Sequence, residues 1–157
     1  MKNYSRKKSR LQNKAVIARN KNLYLYTIIK TYISGISLKG TEVKALIDSG
    51  ADINNAYITF TNKEAFIINA VIAHWKNAAH NNHDKKRKRK LLLNKQEINY
   101  ISRLQREKHL TVIPIKFIRI HGKFKLEIAI AKRKTIHDKR ERSRKKEEQR
   151  ERKLDWY

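Results

Sequence analysis

Lys85-Lys86-Arg87-Lys88-Arg89-Lys90 runs without a break into Leu91-Leu92-Leu93. Consecutive lysines and arginines suit one kind of chemistry, the binding of phosphate: lysine acts as a point charge and arginine as a planar fork that grips two oxygens at once. Such a run is not expected inside a small domain, and the leucines are not expected in water. The junction is therefore expected to fix a cationic loop at the rim of a hydrophobic core. Lys132-Arg133-Lys134 and Asp138-Lys139-Arg140 form two further basic clusters near the C-terminus. Clusters of this kind alone would give an affinity for polyanions that falls steeply with salt and reads no shape.

Other residue types offer less. Asp48, Asp52, Asp84 and Asp138 lie beside Ser, Asn, His or Lys, without a visible acid–base pairing. His80 and His83 have an HxxH spacing, but zinc sites use three or four ligands and the chain has no cysteine. The glycines, Gly35, Gly40, Gly50 and Gly122, are too scattered for a phosphate-cradling loop. Neither an enzyme nor a metal or cofactor is expected. The 39 Lys and Arg against 14 Asp and Glu leave a formal charge of +25 on 157 residues. Such a charge repels itself in a compact state, and a polyanion relieves it, most commonly a nucleic acid.

The first residues are basic, yet no apolar stretch of secretory type follows. Leu23 to Ile29 is far shorter than the ~20 residues a membrane helix needs. The expectation is a cytoplasmic chain without membrane attachment, monomeric when free.

Three parts are expected: a flexible basic arm over 1–19, a body over 20–131 and a basic tail over 132–157. In the body, Lys123 to Ile130 alternates apolar and polar residues as a half-buried strand does. Leu110 to Ile120 reads as its hairpin partner across His121-Gly122, with Pro114 at an edge or a bulge. Ala56 to Phe60 and Ala65 to Ile72 suggest a second hairpin, and Leu23 to Leu38 one or two more strands with Gly35 as a bend or bulge. A short helix is expected over Thr41 to Ile47. A second follows Asn94, where Glu97 completes a capping-box pattern and Ile98, Ile101 and Leu104 form a stripe. Five or six short strands with two or three flanking helices favour a mainly β fold, an OB-like antiparallel barrel. In the tail, Glu141–Lys145 and Glu148–Arg152 are spaced to support a helix. That support is too weak for an isolated helix, so the tail is expected to be disordered when free and helical when laid on RNA.

The segments Gly40-Thr41-Glu42-Val43-Lys44, Glu64-Ala65-Phe66-Ile67-Ile68-Asn69-Ala70, His83-Asp84 with Arg87 and Arg89, Lys90-Leu91-Leu92-Leu93-Asn94 and His137-Asp138-Lys139-Arg140, in this order, resemble the small protein B (SmpB) family. These are the SsrA RNA-binding proteins of bacterial trans-translation. The resemblance implies an OB-like barrel bound to the tRNA-like domain of tmRNA (SsrA RNA). It also implies a tail that enters the empty mRNA channel of a stalled 70S ribosome, against small-subunit rRNA, so that alanine transfer, peptide tagging and ribosome rescue follow. The RNA-binding residues it implies are Asn20, Tyr24, Glu42, Lys44, Arg87, Arg89, Lys90, Leu92 and Asn94, with Glu42 accepting from base edges or ribose hydroxyls. The implied decoding-centre residues are Lys132, Lys134, His137, Asp138, Lys139 and Arg140. The family's pattern is departed from at Tyr24, Ile47, Lys85, Arg133 and Thr135. The other reading of the composition is a basic RNA-binding or ribosomal protein that sits permanently on rRNA.

Overall fold

Alternating apolar residues organise the chain into strands whose inner faces share one core. In a computed structural model, residues 14–78, 81–135 and Arg144 are described. Strand β1 (Lys14–Arg19) leads through a 3-10 turn (Lys21–Leu25) into the long β2 (Tyr26–Ile36). Helix α1 (Gly40–Asp48) and the short β3 (Ala51–Asp52) follow. Then come β4 (Tyr57–Thr61), β5 (Glu64–Ile68), the short β6 (Val71–Ile72) and β7 (Arg89–Leu92). Helix α2 (Lys95–Glu107) precedes the hairpin of β8 (Thr111–Ile120) and β9 (Lys123–Arg133).

Seven strands form one antiparallel sheet in the order β1-β8-β9-β2-β7-β5-β4, while β3 and β6 pair separately. The fold is thus mainly β with two α-helices, as expected. The sheet curls so that β4 comes against β8. Among the described residues no ladder joins the edge strands β1 and β4, so hydrogen bonding does not close the sheet into the expected barrel.

Both expected hairpins are present. Their two-residue loops, Asn62-Lys63 and His121-Gly122, have φ of 51°, 59°, 48° and 76°. Two successive left-handed residues give the turn whose twist matches the strands it joins. Pro114 sits at a register shift between β8 and β9, inside the sheet rather than at its edge. The break suits a residue without an N–H, and on the other side the β1 ladder stops at Arg19–Lys116, short of the proline. The irregularity of β2 falls between Ile28 and Lys30, not at Gly35.

Two expected boundaries move. Lys14–Arg19, read as part of the arm, is β1 paired with β8, where its apolar residues complete the sheet. Lys132 and Arg133, read as tail, continue β9 opposite Thr27 and Tyr26, and the Lys134 N–H donates to Leu25 O at 2.9 Å. The rest of the arm and the tail beyond Thr135, including His137, Asp138, Lys139 and Arg140, lie outside the described residues apart from Arg144.

The core gathers Leu46 of α1, Ile58, Ile67 and Leu91 of the sheet, Ile101 of α2, and Phe117 and Leu126 of the hairpin. Burying one such side chain contributes about 1.5–3 kcal/mol. The exposed Arg103–Glu107 pair on α2, at 3.9 Å, belongs to a class worth about 0.3–0.5 kcal/mol. Packing through Ile98 and Ile101, rather than surface charge, therefore holds α2 in place.

Candidate nucleic-acid interface

Helix α1 begins with backbone N–H groups that need acceptors. Glu42, in its first turn, supplies one by accepting the Lys39 N–H on Oε2 at 2.7 Å. Its side chain is wholly buried, and two arginines of the cationic run come to meet it. Oε1 accepts from Arg87 Nε at 3.1 Å and Arg89 Nε at 2.8 Å, and Oε2 from Arg87 Nη2 at 2.7 Å. Arg89 is itself wholly buried and spends its other donors on backbone carbonyls. Nη1 reaches Ala70 O at 2.7 Å and Arg87 O at 2.9 Å, and Nη2 reaches Lys85 O at 3.1 Å. No buried side-chain N or O is left unpaired among the described residues.

This corrects the picture of a run held wholly outside. Its arginines turn in and its lysines stay out: Lys85, Lys86, Lys88 and Lys90 are exposed, Arg87 is partly buried and Arg89 fully so. An arginine can be buried because its fork delivers several hydrogen bonds to fixed acceptors, whereas a lysine keeps a compact, strongly hydrated charge.

Burial alone would raise the Glu42 pKa, but the Arg87 hydrogen bond, the Lys39 N–H and the charge and hydrogen bond of Arg89 outweigh it, leaving it below the ordinary 4.5. For Arg89, burial pulls the pKa below the ordinary arginine value and Glu42 opposes that. The two directions pull oppositely on the same pair. The dense donor set around Glu42 decides the matter, since a guanidinium stays charged in proteins.

His83, also buried, contacts Thr41 Oγ1 at 3.0 Å through Nδ1, and its Nε2–H donates to Ile72 O at 3.3 Å. Both ring nitrogens thus tie α1 to β6. No group of three or more potential metal ligands occurs among the described residues.

Strand β7 translates this anchoring into an outer surface. Residues alternate across a strand. Arg89 and Leu91 therefore point in while Lys90 and Leu92 point out, and Leu92 is 56% exposed. Lys90 pairs with the Glu64 carboxylate, and Lys88 Nζ lies 4.0 Å from the centre of the Phe66 ring. Asn94, exposed at the start of α2, donates its N–H to Glu97 Oε2 at 3.1 Å. Lys44, exposed on α1, places Nζ 4.1 Å from the Trp75 ring centre, and Trp75 Nε1 donates to Asp48 Oδ2 at 3.1 Å. The sequence reading did not single out Trp75. Its only signal was an aromatic residue in a polar loop.

Gly35 faces Leu92 across the β2–β7 ladder, and a Cβ there would lie 3.1 Å from Leu92 Cβ. A Gly35→Val variant is expected to displace Leu92 and weaken RNA binding about tenfold while costing about 1 kcal/mol of stability or less. Parallel binding and urea-melt measurements test this; unchanged affinity would show that Leu92's position does not matter.

The remaining expected residues lie by the Tyr26 end of β2, whereas Leu92 pairs with Gly35 near its other end. Asn20 is 5% exposed and holds the 3-10 turn: Oδ1 accepts the Asn22 N–H at 2.9 Å and Nδ2 donates to Pro114 O at 2.9 Å. Tyr24 is exposed on that turn, with Lys132 and Lys134 nearby at the end of β9. The structure therefore brings Glu42, Arg87, Arg89, Lys90, Leu92 and Asn94 together and sets Asn20, Tyr24, Lys132 and Lys134 apart as a second group.

The comparisons with known proteins converge. The SmpB protein family model matches residues 16–156. An SsrA-binding protein of Thermosipho africanus is 46% identical over 134 residues, covering 84% of this chain and 90% of that protein. One of Persephonella marina is 44% identical over 137 residues, covering 87% and 90%. A solved structure described as "tmRNA-SmpB: a journey to the center of the bacterial ribosome" contains a chain with a TM-score of 0.65 and 34% identity, over 78% of this chain and 87% of that one.

Proposed function

This chain belongs to the SmpB family, and from that membership we propose how its surfaces divide the work of trans-translation. It is a noncatalytic SsrA-binding protein of the tmRNA–SmpB system on the ribosome. The outer face of β7 and its neighbours takes the tRNA-like domain of SsrA RNA. Lys90 and Lys44 meet phosphates, Leu92 packs against a ribose or base, and Asn94 reads a polar edge. Tyr24 stacks at the far end. Asn20, Glu42, Arg87 and Arg89 hold these groups in place rather than touching RNA, because their polar atoms are already spent inside the fold.

The observation that carries this reading is the strict alternation on β7, with Arg89 locked under Glu42 while Lys90 and Leu92 project outward. A leucine 56% exposed beside lysines is a poor arrangement for water and a good one for a ribose face. The curled sheet acts as an OB-like body. The segment beyond Thr135, carrying His137, Asp138, Lys139 and Arg140, enters the empty mRNA channel of a stalled 70S ribosome and becomes helical against small-subunit rRNA. The free protein is a cytoplasmic monomer. Among the described residues no helix is long and apolar enough to cross a membrane.

Lys90→Glu is expected to weaken binding of the isolated tRNA-like domain by about tenfold or more, ~1.4 kcal/mol. Arg119→Glu is the control: it makes the same charge change on β8, which β9 and β2 separate from β7. Equal losses in the two variants would mean that net charge alone governs binding.

A further inference from the structure

The proposed SsrA face leaves another cationic feature unused. A cavity of about 400 Å³ lies between the β4–β5 turn and α2. Its volume falls within the ~300–1,000 Å³ typical of small-molecule pockets. Lys63 reaches it from the turn, Arg103, Arg106 and the carboxylate of Glu107 from α2, and Phe60 and Ile98 supply apolar lining. Among the described residues, neither Lys63 nor Arg106 has a carboxylate partner. Arg103 has only Glu107, at 3.9 Å, with both side chains more than half exposed. The φ of 59° at Lys63 belongs to the tight turn that fixes where its side chain starts. Arg103 and Arg106, three residues apart on a helix, point the same way.

The pocket's aromatic wall and Lys90 lie on opposite faces of the sheet. Phe60 pairs with the buried Ala65, on the inner face with Leu91, whereas Lys90 pairs with Phe66 on the outer face.

We infer that this pocket is a second RNA contact, which takes one unpaired nucleotide of a strand other than the one lying on Lys90 and Leu92. The phosphate sits among Lys63, Arg103 and Arg106, where arginine forks can bind its oxygens in pairs. The base rests against Phe60 and Ile98, in keeping with RNA recognition through splayed bases on aromatic side chains. The inference rests on the chain being an RNA-binding protein but not on the placement of SsrA RNA.

The test is photo-cross-linking of the full-length protein to a uridine hexamer carrying one 4-thiouridine, alongside SsrA affinity. In the wild type, cross-links are expected on residues 60–63 or 98–107. Arg103→Gln with Arg106→Gln, both exposed positions, should cut that yield about fivefold and reduce the salt slope of hexamer binding by about 0.7, the value for one phosphate on a single strand. SsrA affinity should stay within about twofold, since those contacts are made elsewhere. Phe60→Leu should lower cross-linking while leaving the salt slope unchanged. Uridine monophosphate should compete better than inorganic phosphate. Cross-links confined to other segments, an unchanged yield in the double variant, or equal competition by inorganic phosphate would overturn the inference. A parallel loss of SsrA affinity would overturn the claim that the contact is separate. Loss of SsrA binding in Lys90→Glu bears only on the first face.

Discussion

Arg89→Met is expected to remove about 3–5 kcal/mol of folding free energy, the usual result of leaving a buried charge without its partner. The substitution keeps much of the side-chain volume but removes the donors that Arg89 gives to Glu42 Oε1 and to the Ala70, Arg87 and Lys85 carbonyls. Arg89→Lys should do little better, because one ammonium cannot reach four acceptors arranged around a planar fork. Glu42→Gln is the informative companion. It retains size and one acceptor oxygen but loses the charge that both arginines face.

The same cluster sets a pH dependence. The folded Glu42 pKa lies below the ordinary 4.5, so its stabilisation is fully present above about pH 4.5 and is lost as pH falls through the folded value. Removing Arg89 takes away two of the causes that lower that pKa, so acid unfolding should begin at a higher pH in Arg89→Met than in the wild type. Urea melts and an acid titration followed by circular dichroism provide the check. A variant within 1 kcal/mol of wild type, unfolding at the same pH, would mean that Arg87 and the Lys39 amide hold Glu42 unaided.

The second large effect concerns the C-terminal segment. Truncation after Thr135 is expected to leave SsrA binding within about threefold of the full chain, while peptide tagging on stalled ribosomes falls to background. The removed piece holds nine cations and six carboxylates, so only three of the net positive charges leave with it. Electrostatic attraction to RNA survives, and the β7 surface is untouched. The cut belongs after Thr135 rather than before Lys132, because Lys132 and Arg133 pair with β2 and Lys134 bonds to Leu25. An earlier cut would damage the sheet and confuse two effects. Should the 1–135 protein lose SsrA affinity a hundredfold, the assignment of RNA holding to the body and of ribosome probing to the tail would fail.

Much of the fold was legible because its signals are local. Alternation over Lys123–Ile130, a tight turn at His121-Gly122 and the Asn94–Glu97 helix start each depend on residues a few positions apart, and each appears where expected. Strand β1 was not legible. Lys14 to Arg19 is basic at both ends, and its short apolar stretch becomes a strand only because β8 offers an unpaired edge. The candidate site was legible as a set of residue types but not as roles. Glu42, Arg87 and Arg89, read as RNA contacts beside Lys90 and Leu92, are bonded to one another beneath them, an arrangement that depends on residues far apart in the chain.

The sequence by itself determined a polycationic chain with a β body, its two helices and its family, because composition, periodicity and motif order require no coordinates. Only the tertiary structure decided which charges are buried and which face outward. That choice depends on where a carboxylate 47 positions away meets Arg89 in space. A one-residue shift along β7 would exchange its inner and outer side chains, burying the lysine and exposing the arginine.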